Sequence, residues 1–552
     1  MTRALVAAAG AALLLAGGAG TRPAQLSNPI QVENAQPGST GWDARQAPFR
    51  RIEGYTSEIS VAPGETVQFH VSTVPAAPYR IEIYRLGWYG GLGGRLMGCL
   101  PACDSDKPGS PQPVPPFDPA TGYLDAGWPV TDTVVVPTAW VSGYYLARLV
   151  LTGTPFTSKV PFVVRAPRAA APSSILVSAP VNTWQAYDTW GGRGLYTRVN
   201  GVWTNHVSFN RPFVHGEQDL FEWEIQAVRF LEREGYDLSY ATSVDADRDP
   251  GELLRHRLFM SIGHDEYWSK GIRDTLEAAR DQGTNLAFMG GNTGYWQIRY
   301  ENDRRTIVEY RIATDDPEPD GSLKTTLFRE LNPPRPECEL LGVMWQSGIG
   351  ATGAYAVNST ALSDPYFAHT GFTVDGVAPI IGGEWDGIQP GCNAPPPTVF
   401  FHYPGPPAPG DAVRYVAPSG ARVFSAGTLR WSWGLDDYGT GQPADPRLQQ
   451  FTRNALDDLT RPAPPISVRA LAIRAGLRVA VRRHPDLRVR GVDVFRRLGR
   501  GATLVCSGLA APCLDRKAPP GRVLRYSAVV RDRWGMSREV LSNPVRSARK
   551  RG

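Results

Sequence analysis

Residues 258–296 read LFMSI-GHDEYWS-KGIRDTLEAARDQGT-NLAFM-GGNTGYW, and this stretch decides the architecture. LFMSI (258–262) and NLAFM (285–289) are short runs, apolar almost throughout, the pattern of strands buried on both faces. Between them, Ser269 is placed to cap a helix that runs through Arg280. Ile272, Leu276 and Ala279 fall on one face of it, and Gly283 suits its C-terminal end. Strand, helix and strand in this order predict a parallel pair joined by a crossover.

The same rhythm extends outward. Ser174–Ser178 and Asp237–Ala241 read as two more strands, and Glu222–Arg233 as a helix with Trp223, Ala227 and Leu231 on one face. Arg422–Ala426 resembles a fifth strand and Leu448–Leu459 a closing helix. The expectation is a central α/β domain over 172–460, with a mostly parallel sheet and helices on both faces. Residues 300–420 fit this rhythm poorly and carry Pro333-Pro334, Pro395-Pro396-Pro397 and Pro406-Pro407. They read as an insertion or a long lid.

Both flanks have β texture. Residues 45–165 alternate, with Gly/Pro punctuation and no helical period, and read as an N-terminal β-sandwich. A linker, APRAAAPS (166–173), follows it. Residues 464–545 read as a fibronectin-III-like β-sandwich.

The chain has 552 residues, enough for three or four domains. Its first residues, MTRALVAAAGAALLLAGGAG, place Arg3 before an apolar run and a small-residue exit. That is the pattern of a signal peptide over 1–22, and it implies a secreted or extracytoplasmic protein; a retained N-terminal anchor is the alternative. Six cysteines fit export. The short spacings Cys99/Cys103 and Cys506/Cys513 invite local pairs and leave Cys338 with Cys392, one pairing among many. No C-x-x-C or clustered Cys/His spacing supports zinc. Charge is segregated: residues 463–552 hold 21 Lys and Arg against 5 Asp and Glu, and the rest of the chain 37 against 48. This basic tail suits an anionic envelope polymer or is a solvated surface. It has no aromatic-interleaved basic run of the kind that stacks nucleobases, so nucleic acid is not expected as a partner.

In an open parallel sheet, ligands bind beyond the carboxyl ends of the strands. Three such ends lead into unusual loops: NTWQAYDTWGG (182–192), GHDEYW (263–268) and GGNTGYW (290–296). Polar, titratable and aromatic residues thus gather at one sheet edge. Trp184, Tyr187, Trp190, Trp268 and Trp296 are candidates to wall off water and contact a substrate. Loop 263–268 sets His264, Asp265, Glu266 and Tyr267 together; a helix N-terminus with favourable acids would look similar. No G-x-S-x-G elbow, strand-end cysteine, Walker A or H-E-x-x-H motif appears.

In TWQAYDTWGGRGLY (183–196), SFNRPF (208–213), GHDEYWS (263–269), GGNTGYW (290–296) and GTLRWSWGLD (427–436), the central domain resembles the C-terminal domain of the N,N-dimethylformamidase large subunit family. The resemblance extends to IEGYTSEISVAPGE (52–65) and YRLGWYGGLGGR (84–95), and so to most of 45–460. It implies a central flavodoxin- or glutamine-amidotransferase-like parallel sheet and hydrolysis of a small amide at a mononuclear iron (Fe3+) held by two tyrosines and a glutamate. By motif the tyrosines would be Tyr267 and Tyr295. The glutamate would be Glu384, after the apolar run 378–381, with Glu266 as the alternative. His264 would be a base or orienter beside the metal, and Asn292 a hydrogen-bonder to substrate or oxyanion. A small partner subunit or a homo-oligomer is also implied.

Export, the basic sandwich and the cysteine-bearing insertion depart from that family. Two other functions therefore remain in view. One is a non-catalytic secreted glycan- or envelope-binding protein. The other is a glycoside hydrolase using Asp188, Asp265, Glu266 and Glu384, which needs a suitably spaced carboxylate pair.

Overall fold

A computed structural model of the chain describes residues 28–44, 46–214, 219–348, 350–392, 395–499, 501–509 and 513–548. The expected signal peptide (1–22) lies outside the described residues.

The N-terminal unit consists of two sheets. Strands Ser60–Val61, Thr157–Val164, Gly143–Leu151, Tyr79–Leu86 and Gly94–Leu100 form one, in that order. Ile52–Thr56, Thr66–Thr73 and Asp132–Val135 form the other. Alternation along these strands sends Val67, Phe69 and Val71 from one sheet, and Ile81, Ile83, Ala147 and Leu149 from the other, into a shared core.

The central unit is a nine-stranded mixed sheet. Its first five strands, in spatial order, are Leu238–Thr242, Ile175–Ala179, Leu258–Ile262, Asn285–Met289 and Arg422–Ser425. Every neighbouring pair among them is parallel. Their residues alternate between two separate cores. Met260 and Ala287 lie in one, and Phe259, Leu286 and Phe288 in the other, which is why these runs are apolar throughout. The helix Lys270–Asp281 begins where Ser269 Oγ accepts the Ile272 N–H at 3.0 Å, and it covers one face with Ile272 and Leu276. A π-helical turn, Leu220–Glu224, leads into the helix Ile225–Arg233 on the other face.

Two expectations are corrected here. The sheet, expected to be mostly parallel, is parallel in four of its eight neighbouring pairs, and residues 300–420, read as an insertion or a long lid, supply strands of the sheet itself. From that segment Gly410–Val416, Thr398–Tyr403, Thr352–Val357 and Val377–Gly382 continue the same sheet, all antiparallel. Prolines mark the loops between these strands, and the strands bury Phe400, Phe401, Ala412 and Val413.

The C-terminal unit has a sheet of Ser467–Ile473, Gly476–Arg482 and Cys513–Asp515. It faces a second sheet built on Gly491–Leu498, Gly501–Gly508 and Val523–Arg531, across a small core. It docks on the central unit where buried Arg257 meets Asp486 at 2.6 Å and Asp532 at 3.3 Å. The three disulfides are the expected pairs, Cys99–Cys103, Cys338–Cys392 and Cys506–Cys513. Among the described residues no helix is long and apolar enough to cross a membrane.

Candidate functional site

The carboxyl ends of strands 175–179, 258–262 and 285–289 converge as expected, and glycine brings their loops into contact. A Cβ on Gly290 would lie 1.9 Å from the Gly263 carbonyl oxygen, and one on Gly291 would lie 2.6 Å from that of Glu384. Only bare backbone fits at these two positions.

After strand 175–179 the chain enters the helix Val181–Tyr187, which ends on Tyr187. It then reverses through Trp190–Gly192, with Gly191 at φ +66°. Fully buried Arg211 secures this reversal: it pairs with Asp188 at 3.2 Å and donates to the carbonyls of Asp188 (2.9 Å), Gln185 (3.2 Å) and Arg193. The reversal returns Tyr196 to stack on Tyr187, ring centroids 4.8 Å apart. Thr183 Oγ1 accepts the Glu266 N–H at 3.0 Å and ties the second loop to the same helix.

These restraints close a triangle of three oxygen-bearing side chains, two phenols and the two oxygens of one carboxylate. The Tyr187 hydroxyl donates to Glu266 Oε2 at 2.8 Å, and that of Tyr196 to Oε1 at 3.4 Å. The two hydroxyls are 3.2 Å apart. Octahedral ligands at about 2.1 Å from a small hard cation stand about 3 Å from each other, so the spacing suits such an ion. Tyr267 supports the triangle from behind, its hydroxyl 2.7 Å from that of Tyr196.

His264 Nε2 lies 3.3 Å from Glu266 Oε2 and 4.0 Å from Glu384 Oε2, and takes no hydrogen-bond partner among the described residues. Glu384 comes from the 300–420 segment. There Met344–Ser347 pairs with Trp385–Gly387, which lets Trp345 Nε1 donate to Glu384 Oε2 at 3.0 Å. Asn292, at φ +51°, is held by its N–H to Asp386 Oδ1 at 2.8 Å. Its side-chain amide works against the upward shift of both the Glu266 and the Glu384 carboxyl, and its buried Oδ1 has no hydrogen-bond partner among the described residues.

Burial governs the electrostatics. It raises the Glu266 carboxyl well above its ordinary range, and the neighbouring Glu384 adds to the shift. Burial likewise raises Glu384 and lowers His264 to about 3. It raises the phenols of Tyr187, Tyr196 and Tyr267, and pushes Tyr295 up to about 12. Burial thus disfavours the charged forms of the acids and of the imidazole alike. Oxygen donors whose charge burial disfavours are suited to a hard cation, which would restore that charge. Among the described residues no group of three or more His, Cys, Asp or Glu side chains is arranged to hold a metal ion.

The anticipated residues separate into two sets. His264, Glu266, Asn292, Glu384 and Tyr187 gather around the triangle, with Tyr267 behind it. Tyr295 stands at the rim, its ring 5.3 Å from Trp345 and 5.2 Å from the Arg329 guanidinium. No hydrogen bond links Tyr267, Tyr295 and Glu384 among the described residues; the carboxylate that meets two phenols is Glu266, the alternative named from sequence. Of the five aromatics, Trp296 also lies at the rim, 5.1 Å from Tyr295. The other three are corrected to core positions. Trp184 donates to buried Glu224 at 2.6 Å, Trp190 packs edge-on to Trp128, and Trp268 packs against Phe288. Along strand Tyr267–Ser269, successive side chains face opposite ways, which turns Trp268 away from the site. Asp188 is held by Arg211, and Asp265 accepts from Ser261 Oγ at 2.6 Å, so of the four carboxylates weighed for glycoside hydrolysis only Glu266 and Glu384 converge.

Sequence reasoning missed Tyr196, Trp345 and also Arg311, whose guanidinium lies 4.4 Å from the centroid of the Tyr196 ring. Tyr196 ends the motif 183–196, nine residues after Tyr187 in the same strand-end loop, and that proximity was the available signal. Trp345 and Arg311 belong to a segment whose pairing is non-local, and no local pattern marks them.

A family model described as N,N-dimethylformamidase beta subunit-like, C-terminal, matches residues 80–445. The N,N-dimethylformamidase beta subunit of Paracoccus aminophilus is 19% identical over 426 residues, and that of an Alcaligenes species 20% over 430. Each match covers 62% of this chain and 55% of the relative, so the chain spans about half the length of these curated relatives. Among solved structures, the spore cortex lytic enzyme SleM of Clostridium perfringens aligns over 16% of this chain and 31% of its own, at 18% identity and a TM-score of 0.13. A likeness of that size has no bearing on the fold.

Proposed function

Because this chain belongs to the N,N-dimethylformamidase beta subunit-like C-terminal family, we propose that it is a hydrolase acting on the C–N bond of a small amide. We propose further that it uses iron, held by Tyr187, Tyr196 and Glu266. The observation that carries the reading is the closure of two phenols on one carboxylate, with Tyr187 2.8 Å from Glu266 Oε2, Tyr196 3.4 Å from Oε1 and the two hydroxyls 3.2 Å apart, where two strand-end loops meet. Phenolate and carboxylate are hard donors matched to ferric iron. When bound, such an ion supplies Lewis-acid polarisation of the amide carbonyl.

The protein's own groups do the rest. His264 presents an imidazole whose Nε2 has no hydrogen-bond partner among the described residues and faces both glutamates, so it can take a proton from attacking water and deliver it to the departing amine nitrogen as the C–N bond breaks. Asn292 Oδ1, without a donor among the described residues, can orient that water or a substrate N–H. Trp296, Tyr295 and Trp345 form a rim that limits the entry of bulk water. Tyr267, bonded to Tyr196, holds the second phenol in place.

The relatives are named as beta subunits, which supports a partner subunit or self-association here as well. The N-terminal apolar segment and three disulfides support an extracytoplasmic location, and the basic C-terminal unit supports contact with an anionic envelope polymer. A non-catalytic glycan-binding role has less support, because three of the five tryptophans and tyrosines expected to stack on sugars lie in the core.

Elemental analysis and a visible spectrum on protein purified without chelators test the proposal. Stoichiometric iron with a tyrosinate-to-iron charge-transfer band is expected, and Tyr187→Phe/Tyr196→Phe loses both along with amide turnover. A double variant with full iron content would refute the ligand assignment.

A further inference from the structure

Beside the oxygen triangle stands a guanidinium that the proposed hydrolysis does not use. Arg311 follows strand Thr306–Val308, and its backbone is pinned on both sides. The Tyr310 N–H donates to Thr325 Oγ1 at 2.8 Å, and the Arg311 carbonyl accepts from Thr326 Oγ1 at 2.8 Å. Arg311 itself sits at φ +67°, in the left-handed region that side-chain-bearing residues avoid. Strain held in place by flanking hydrogen bonds is characteristic of residues whose direction matters.

The guanidinium is oriented but not satisfied. Nε donates to Glu309 Oε2 at 3.0 Å, which uses one side of the fork and fixes its plane. On the other side, Nη2 is buried and has no acceptor among the described residues. Around it are aromatic rings, with centroids at 4.4 Å (Tyr196), 4.8 Å (Trp203) and 5.7 Å (Trp296). Ring faces attract the cation but cannot accept its in-plane N–H groups, so a buried donor is left in need of a partner. Exposed Arg198 also lies over Trp203, at 3.9 Å, and adds positive charge to the same patch. Tyr196, whose hydroxyl belongs to the triangle and whose ring lies against the guanidinium, is 42% exposed, so solvent reaches the side chain that the patch and the reaction centre share.

An Arg fork with a free Nη edge between flat aromatic walls matches a carboxylate in shape and charge. We propose that Arg311 binds a carboxylate on the substrate, so that the amide taken by this site carries an acid, as an N-acyl amino acid does. This rests on the reading of the oxygen triangle as an amide-hydrolysing centre. Glu309 orients the fork, and Trp203 and Trp296 keep it flat.

The test compares N-acetylglycine with its uncharged counterpart N-acetylglycinamide, on the full-length protein. Binding is followed by the fluorescence of the flanking tryptophans and by calorimetry. The acid is expected to bind at least about 10-fold more tightly, with the advantage shrinking as salt rises and disappearing in Arg311→Met. Equal binding of the two compounds by the wild-type protein overturns the proposal, and this comparison requires no variant to fold. An undiminished preference in folded Arg311→Met overturns it too. Turnover separates this proposal from the one it rests on. Hydrolysis of neutral and acidic amides at equal efficiency sinks the carboxylate site and leaves the hydrolase standing. Arg311-dependent binding of N-acetylglycine without hydrolysis of either amide keeps the site and sinks the hydrolase.

Discussion

Gly263→Ala would place a methyl carbon 2.4 Å from Glu224 Cγ, at a residue whose φ is +73°. Glu224 cannot yield easily. It is fully buried, and its two oxygens accept from Trp184 Nε1 at 2.6 Å and the Tyr144 hydroxyl at 2.7 Å. Two costs therefore add. The left-handed backbone disfavours alanine by about 1–2 kcal/mol, and overpacking in a closed core adds about 1–3 kcal/mol. The expected loss is thus roughly 2–5 kcal/mol. His264 is the next residue, so the loop can relieve the clash only by moving the imidazole and Glu266, and a shift of about 1 Å at a reacting group costs on the order of 100-fold in rate. Gly64→Ala isolates the backbone effect, since Gly64 has φ +91° and nothing within 4 Å of its Cβ position. It should cost only the backbone component and leave the site intact. The assay is equilibrium urea unfolding of both variants, with bound iron and amide turnover measured on the same preparations. If Gly263→Ala unfolds with Gly64→Ala and keeps its iron and turnover, then Glu224 does not hold this loop and the account of the site's packing is wrong.

Three further outcomes are expected. Arg85 and Glu232 form a fully buried two-pronged pair (2.8 and 2.9 Å) between the N-terminal and central units. Arg85→Met should cost about 3–5 kcal/mol by stranding the carboxylate, and Arg85→Met/Glu232→Met should recover most of it in a double-mutant cycle. Cys338–Cys392 closes the segment that carries Trp345 and Glu384. Cys338→Ser/Cys392→Ser should therefore lower stability by about 2–4 kcal/mol and reduce turnover, whereas Cys99→Ser/Cys103→Ser should leave turnover unchanged. Burial pushes the Asp486 carboxyl up, but the Arg257 and Arg488 guanidiniums outweigh it and hold it below its ordinary value of 3.8. A carboxylate depressed in the folded state stabilises fully above its unfolded value, and that stability is lost as pH falls through the folded value. Unfolding free energy should therefore fall below about pH 4, with a shallower slope in Asp486→Asn.

Where structure is local, the sequence was sufficient. The apolar runs 258–262 and 285–289, the Ser269 cap between them and the glycine-rich loops after them can be read because strand and helix periods, caps and turns involve neighbouring residues. The short cysteine spacings likewise pointed to their pairs, and by difference to Cys338–Cys392. That the strand-end loops form one site also followed, since parallel strands bring their carboxyl ends to the same edge.

Only the tertiary structure decided which oxygens meet. Tyr187 and Tyr196 close on Glu266 because Gly191 permits a reversal and Arg211, from a different segment, locks it; no period or spacing encodes that contact. The same holds for residues 300–420. Their strands join the central sheet by backbone hydrogen bonds between distant residues, such as Val413 with Ser425 and Ala356 with His402. Backbone pairing carries little side-chain signature, so prolines in the connecting loops read as irregularity. Trp268 and Tyr267 are neighbours in sequence and face opposite ways in space. Composition brought both to the sheet edge, and only the register of a three-residue strand determined which one faces the site.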